Sequence, residues 1–220
     1  MVTVNAIFEA TIQVLLAEGV QRLTTTRVAA RAGVSVGTLY QYYPQKQALL
    51  HAVLERHLHG VVEAVEGAAR QSHGRALELM VESVVQAFLK AKLERPEEAR
   101  ALYAVASEVG AAALVTRAGA RAGAALAVML ATASDARFED PALCAYMLTT
   151  AMAGPTKGIL EGQAPAQFMP VAHRHVVSLC LGYLAREAKP RRAPKPPRGP
   201  RAAATATVPR GASVVKGTAR

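Results

Sequence analysis

Histidines and cysteines are the first residues in this 220-residue chain whose types could do chemistry. His51 and His59 stand eight apart, roughly on one face of any helix containing both, with His57 between them and His173 and His175 far downstream. Tetrahedral ligation needs a completing carboxylate or thiolate set at familiar spacing, and none accompanies them, so no metal is expected. Cys144 and Cys180 lie in apolar surroundings without a C-x-x-C pairing, which reads as two packed, reduced thiols in an intracellular protein. There is no G-x-S-x-G elbow, no Cys/His pair and no phosphate-cradling glycine loop; Gly119 and Gly123 suit close packing of a helix. Neither an enzyme nor a bound cofactor is expected.

The stretch Thr24 to Leu50 carries a different chemistry. It reads as two short helices around a Gly33-Val34-Ser35 turn, a geometry that lets the second helix lie in a DNA major groove. Val28, Ala29, Ala32, Val34 and Leu39 can pack together and against Ile7, Thr11 and Val14. That leaves Thr26, Arg27, Val36, Gly37, Thr38, Gln41 and Tyr42 facing outward. Small, hydroxyl, amide and phenol groups with no core to serve suit base edges and phosphates. On spacing alone, a helical hairpin that only packs remains the alternative.

The elements that must position these residues are helical almost throughout. Alanine is abundant, aromatics are 5% and no Trp is present, which favours helices over strands. The first helix runs from Val4 to Glu18, with Gly19 placed to end it in a left-handed conformation. The Thr24-Thr25-Thr26 cluster offers an N-cap for a helix reaching Ala32, and Ser35 caps a third that ends near Tyr43, where Pro44 breaks it. A long amphipathic helix over 46–69 follows, then helices near 75–94, 97–106, 111–132, 141–161 and 167–187, with no strand. Two Ala-rich stretches, 110–133 and 141–160, are interrupted by Arg117 and Arg121 and by Gly154, Pro155 and Lys157, so neither is expected to span a membrane. Met1 leads into an amphipathic stretch rather than a signal peptide, and a cytoplasmic location is expected.

The net charge of +10 is unevenly spread. Residues 189–220 carry nine bases and no acid, residues 1–50 a net +2 and residues 51–188 a net −1. Six of the twelve prolines fall in the basic tail, without apolar periodicity, so 189–220 is expected to be disordered.

The run Ala29-Ala30-x-Ala32-Gly33-Val34-Ser35-x-Gly37-Thr38-Leu39-Tyr40-x-Tyr42-Tyr43-Pro44-x-Lys46-x-x-Leu49 closely resembles the DNA-binding head of the tetracycline-repressor-like (TetR) regulators. The resemblance implies an all-α fold: a three-helix head with a helix-turn-helix over 1–46, then a larger helical effector-binding and dimerisation body over 47–188. It makes the helix from Ser35 to Tyr43 the recognition helix. Thr38, Tyr40 and Lys46 match phosphate-contacting positions, while Val36, Gly37, Gln41 and Tyr42 approach bases, with Thr26 and Arg27 reaching from the second helix. Ser35, at the head of the recognition helix, belongs to the same surface. Gln41 is the expected base reader, since its amide can pair bidentately with adenine. Leu39 and Tyr43 are expected in the core. Family members usually carry a basic arm before the first helix, whereas this chain begins almost at the helix. Gln45 stands where a better capping residue is common.

By the same resemblance, helices 141–161 and 167–187 form a homodimer interface through Leu143, Met147, Ala151, Val176, Leu179 and Tyr183. The implied partners are a double-stranded operator, a second copy of the chain and an apolar or amphipathic small molecule. The leading expectation is a repressor released by that ligand. A ligand-blind DNA-binding regulator, or a helical ligand-binding or interaction protein without operator binding, are the alternatives.

Overall fold

The computed structural model describes residues 2–190. Among them the chain is all-α: α1 (Val2–Arg22), α2 (Thr25–Ala32), α3 (Val36–Tyr42), α4 (Lys46–Gln71), α5 (Leu77–Leu93), α6 (Pro96–Glu108), α7 (Ala112–Ala131), α8 (Pro141–Leu160) and α9 (Ala172–Glu187). A 3₁₀ turn, Met169–Val171, leads into α9.

The head folds as its caps dictate. Thr24 Oγ1 accepts from the Arg27 amide at 3.3 Å to start α2, and Gly33 ends it in the left-handed region at φ 68°. Ser35 Oγ then accepts from the Thr38 amide at 3.0 Å to start α3. Gln45 makes no side-chain cap to α4. Gly19 interrupts α1 at a positive φ, where the helix was expected to end, though not in the left-handed helical shape. At φ 76° and ψ 168° it adopts a backbone shape that is nearly glycine-only, kinks the helix, and lets it resume to Arg22.

Two apolar cores divide the chain. One gathers Ile7, Val14, Leu15, Val28, Leu39 and Leu50, runs along α4 to Leu58, and takes in Leu102, Val105 and Leu114. The other begins at Val61 and collects the inner faces of α5, α7, α8 and α9. The two cores part within α4 between Leu58 and Val61, because α6 and the start of α7 pack into the head's core. Polar links reinforce this: Gln21 donates to Glu108 at 3.1 Å, joining α1 to α6, and Arg56 donates to Glu9 at 3.1 Å, joining α4 to α1. On the body side, Arg121 grips Glu66 with two bonds of 2.7 Å, tying α7 to α4 and holding the Glu66 carboxyl below its usual range.

Two further expectations need correction. A two-residue antiparallel bridge exists where no strand was expected, pairing β1 (Ala136–Arg137) with β2 (Lys189–Pro190). It forms because Ala136 and Phe138 are buried while Lys189 Nζ donates to Glu139 at 2.6 Å, which draws the chain after α9 across the α7–α8 loop. Lys189 and Pro190 are thus ordered partners of the body; the expected disorder of residues 191–220 lies outside the described residues. By length and composition α7 could cross a membrane, though Arg117 and Arg121 lie within it.

Candidate nucleic-acid interface

The helix-turn-helix presents one buried and one open face. Val28, Ala29 and Leu39 are fully buried under α1, while Thr26, Arg27, Ser35, Gly37, Tyr40, Gln41 and Tyr42 are exposed. Val36 and Thr38 are half-buried at the seam, with Val36 packed on the head core. Leu39 and Tyr43 serve the core as expected; Tyr43 is half-buried, its ring 5.7 Å from that of Phe8.

Several site side chains are held before any DNA is bound. Tyr40 hydroxyl and Thr25 Oγ1 share a hydrogen bond at 3.1 Å, so α2 fixes the phenol's direction. Ser35 and Thr38 hydroxyls lie 2.8 Å apart, leaving hydroxyl oxygens at the head of α3. Arg27 is ion-paired with Glu18 and donates to the Arg22 carbonyl at 3.3 Å. Its guanidinium must exchange or share that carboxylate to reach a phosphate. Lys46, at the first position of α4, turns inward: Nζ donates to the Val20 carbonyl at 2.8 Å, just past the α1 kink. That uses one of its three donors and sets the ammonium beside the α4 N-terminus, where the helix dipole also favours an anion. Gln41, Tyr42 and Thr26 make no side-chain hydrogen bond among the described residues. Thr25 and Glu18 were not singled out from the sequence; Thr25 read there only as part of a capping cluster.

Gly37 is informative. Its backbone is not left-handed, and an added Cβ would meet only Ser35 Oγ at 3.7 Å, an ordinary contact. Nothing inside the chain requires a glycine there, although glycine weakens a helix. The missing side chain clears space on the outer surface instead.

The proposed dimer residues separate into two groups. Leu143 (54% exposed), Met147 and Leu179 (52%) lie on an open face of α8 and α9, together with Tyr146 at 63%, which sequence reasoning missed despite its i+3 spacing from Leu143. Val176 does not belong there: it is 1% exposed and packed inside its own chain's core. Ala151 and Tyr183 are half-buried against the same core. Although Val176 and Leu179 are also three apart, the packing of α9 on α5 and α8 buries the first and leaves the second at its open edge. Both cysteines are free and buried, and burial pushes the Cys180 thiol up to about 11.

A cavity of about 120 Å³ opens between α4, α5, α6, α7 and α8, walled by apolar side chains with Lys92 and Tyr103 at one end. Because Leu102 and Val105 flank Tyr103 and pack in the head core, α6 touches both the cavity and the DNA-binding head.

Comparison with known proteins agrees with this arrangement. Residues 7–53 match the family described as bacterial regulatory proteins, tetR family, and residues 76–184 match the tetracyclin repressor-like C-terminal domain. A nucleoid occlusion factor SlmA from Glaesserella parasuis is 34% identical over 85 residues, covering 39% of this chain and 41% of that protein. The chain thus matches about two fifths of that relative's length. In fold, it superposes on a TetR-family regulator from Mesorhizobium loti with a TM-score of 0.71 at 17% identity, covering 85% of this chain and 97% of that one. A transcriptional regulator from Rhodococcus sp. RHA1 gives 0.65 at 17% identity, covering 84% and 97%.

Proposed function

This chain belongs to the tetracycline-repressor-like (TetR) family of DNA-binding transcriptional regulators, and from that premise we propose that it is a cytoplasmic, non-enzymatic repressor. It binds a palindromic operator as a homodimer and is released by a small molecule lodged in the body. Regulators of this family bind DNA and dimerise. The observation that carries the reading is the open face of α3, where Gly37, Gln41 and Tyr42 are exposed and serve no core. In this reading Ser35, Thr38, Tyr40 and Lys46 hold phosphates, Gln41 reads a base, and Val36, Gly37 and Tyr42 fit the groove. Thr26 and Arg27 reach it from α2.

Leu143, Tyr146, Met147 and Leu179 form the apolar centre of the dimer face, and pairing two copies sets two heads about one helical turn of DNA apart, roughly 34–36 Å. Release works through the cavity. α4 enters the head core through Leu58 and the body core through Val61, and α6 bears Leu102 on one side and Tyr103 on the other. A ligand that shifts either helix changes the separation of the heads. Footprinting on the DNA flanking its own gene tests the reading: a protected inverted repeat supports it, and sequence-independent binding alone refutes it.

A further inference from the structure

Lys92 is the most unusual charge in the molecule. It sits on the inner face of α5 at 7% exposure, and no carboxylate among the described residues pairs with it. Its ammonium donates one hydrogen bond, to the Tyr103 hydroxyl at 3.3 Å, and lies 4.8 Å from the centre of that ring. Two of its three donors remain. Tyr103, having accepted from Lys92, still has its own O–H to give. On α4, half-buried His57 lies close enough for the Lys92 charge to depress its imidazole further, and desolvation with that charge takes it to about 4; its buried Nε2 has no hydrogen-bond partner among the described residues. A buried cation without a counter-ion is costly, and a fold gains nothing by keeping one at the end of an apolar cavity unless an anion comes to it.

The rest of the cavity defines the remainder of that anion. Val61, Val65, Phe88, Ala122 and Met152 line it with hydrocarbon. A volume of about 120 Å³ is too small for a nucleotide or a long chain, and is on the scale of the cavities of about 150 Å³ that admit benzene. Val115 and Ala153, both exposed, and Gly119 frame an opening between α7 and α8.

We propose that this cavity takes a small apolar monocarboxylate, its carboxylate accepting from Lys92 and Tyr103 while an aryl or short alkyl body fills the space among α4, α5 and α8. As the identity of the effector, this rests on the regulatory reading above. An amine would be repelled by Lys92, and a neutral hydrocarbon would leave the ammonium uncompensated.

Calorimetry of the full chain with benzoate, hexanoate, benzamide and benzylamine tests it. Benzoate and hexanoate should bind at least tenfold more tightly than benzamide, and benzylamine should not bind, since hydrogen bonds to charged groups outweigh neutral ones. Lys92→Met should lose at least tenfold for the two acids while keeping benzamide, and its melting temperature should not fall, because an uncompensated charge has been removed. Should Lys92→Met fail to fold, Tyr103→Phe gives the same comparison, with a three- to tenfold loss confined to the acids. Equal affinity for benzoate and benzamide, no acid binding at millimolar concentration, or unchanged acid binding in both variants overturns the proposal. Operator release is read separately by fluorescence anisotropy. Benzoate that binds through Lys92 without releasing DNA supports the carboxylate site and refutes the regulatory reading. Release by benzamide but not by benzoate does the reverse.

Discussion

Replacing Gly37 by alanine separates what the head needs for folding from what it needs for DNA. The new Cβ would sit 3.7 Å from Ser35 Oγ with nothing else of the chain within 4 Å, so no strain is introduced. Glycine to alanine in a helix is worth about 0.5–1 kcal/mol, toward the lower end here because Gly37 is the second residue of the seven-residue α3. For a chain of this length the melting temperature should rise by about 1–4 °C. The operator complex should respond in the opposite sense, because the methyl group occupies space into which a sugar-phosphate edge or base must come. A loss of at least tenfold in affinity, about 1.4 kcal/mol, is expected by anisotropy titration at fixed salt. Gly60→Ala is the control. That glycine is exposed inside α4, an added Cβ meets nothing within 4 Å, and it lies about 21 Å along the helix from Lys46. It should stabilise by about 1 kcal/mol and leave DNA affinity unchanged. A stabilised Gly37→Ala variant with wild-type operator affinity would refute the placement of α3 in the groove. A destabilised one would refute the steric argument itself.

Gln41→Ala should relax preference at one base position by about 1–3 kcal/mol, whereas Tyr40→Phe, which loses the bond to Thr25, should weaken all sequences alike; competition with single-base operator variants distinguishes them. Leu179→Arg should yield monomers in sedimentation, while Val176→Ala should cost about 1–3 kcal/mol of stability and leave the oligomeric state unchanged. A chain ending at Pro190 keeps the bridge to Ala136–Arg137 and loses the eight bases beyond it. It should show the same fold and operator preference with a shallower salt dependence, measured as the slope of log affinity against log salt.

The head was legible residue by residue because its information is local. Hydroxyls at Thr24 and Ser35, a glycine at 33 and a proline at 44 each act within a turn of their own position, so caps, helix lengths and the open face of α3 follow from short-range chemistry. Helix periodicity likewise located α4 to α9 to within a few residues. Periodicity reports that a face is apolar, not what covers it. Val176 and Leu179 both read as interface residues, and only the packing of α9 on α5 and α8 buried one and left the other open. Long-range partners were equally silent. Nothing near Lys46 announces the Val20 carbonyl 26 residues earlier, and Lys189 gives no sign of the β1 segment it joins. Gly19 has the residue type of a helix stop and does break the helix, but nothing in the sequence announced the further helical piece that follows it to Arg22. Lys92, the last residue but one of α5, looks in the chain like one more solvated base. Tertiary structure alone closed α4, α6 and α7 around it and turned an ordinary ammonium into a buried one.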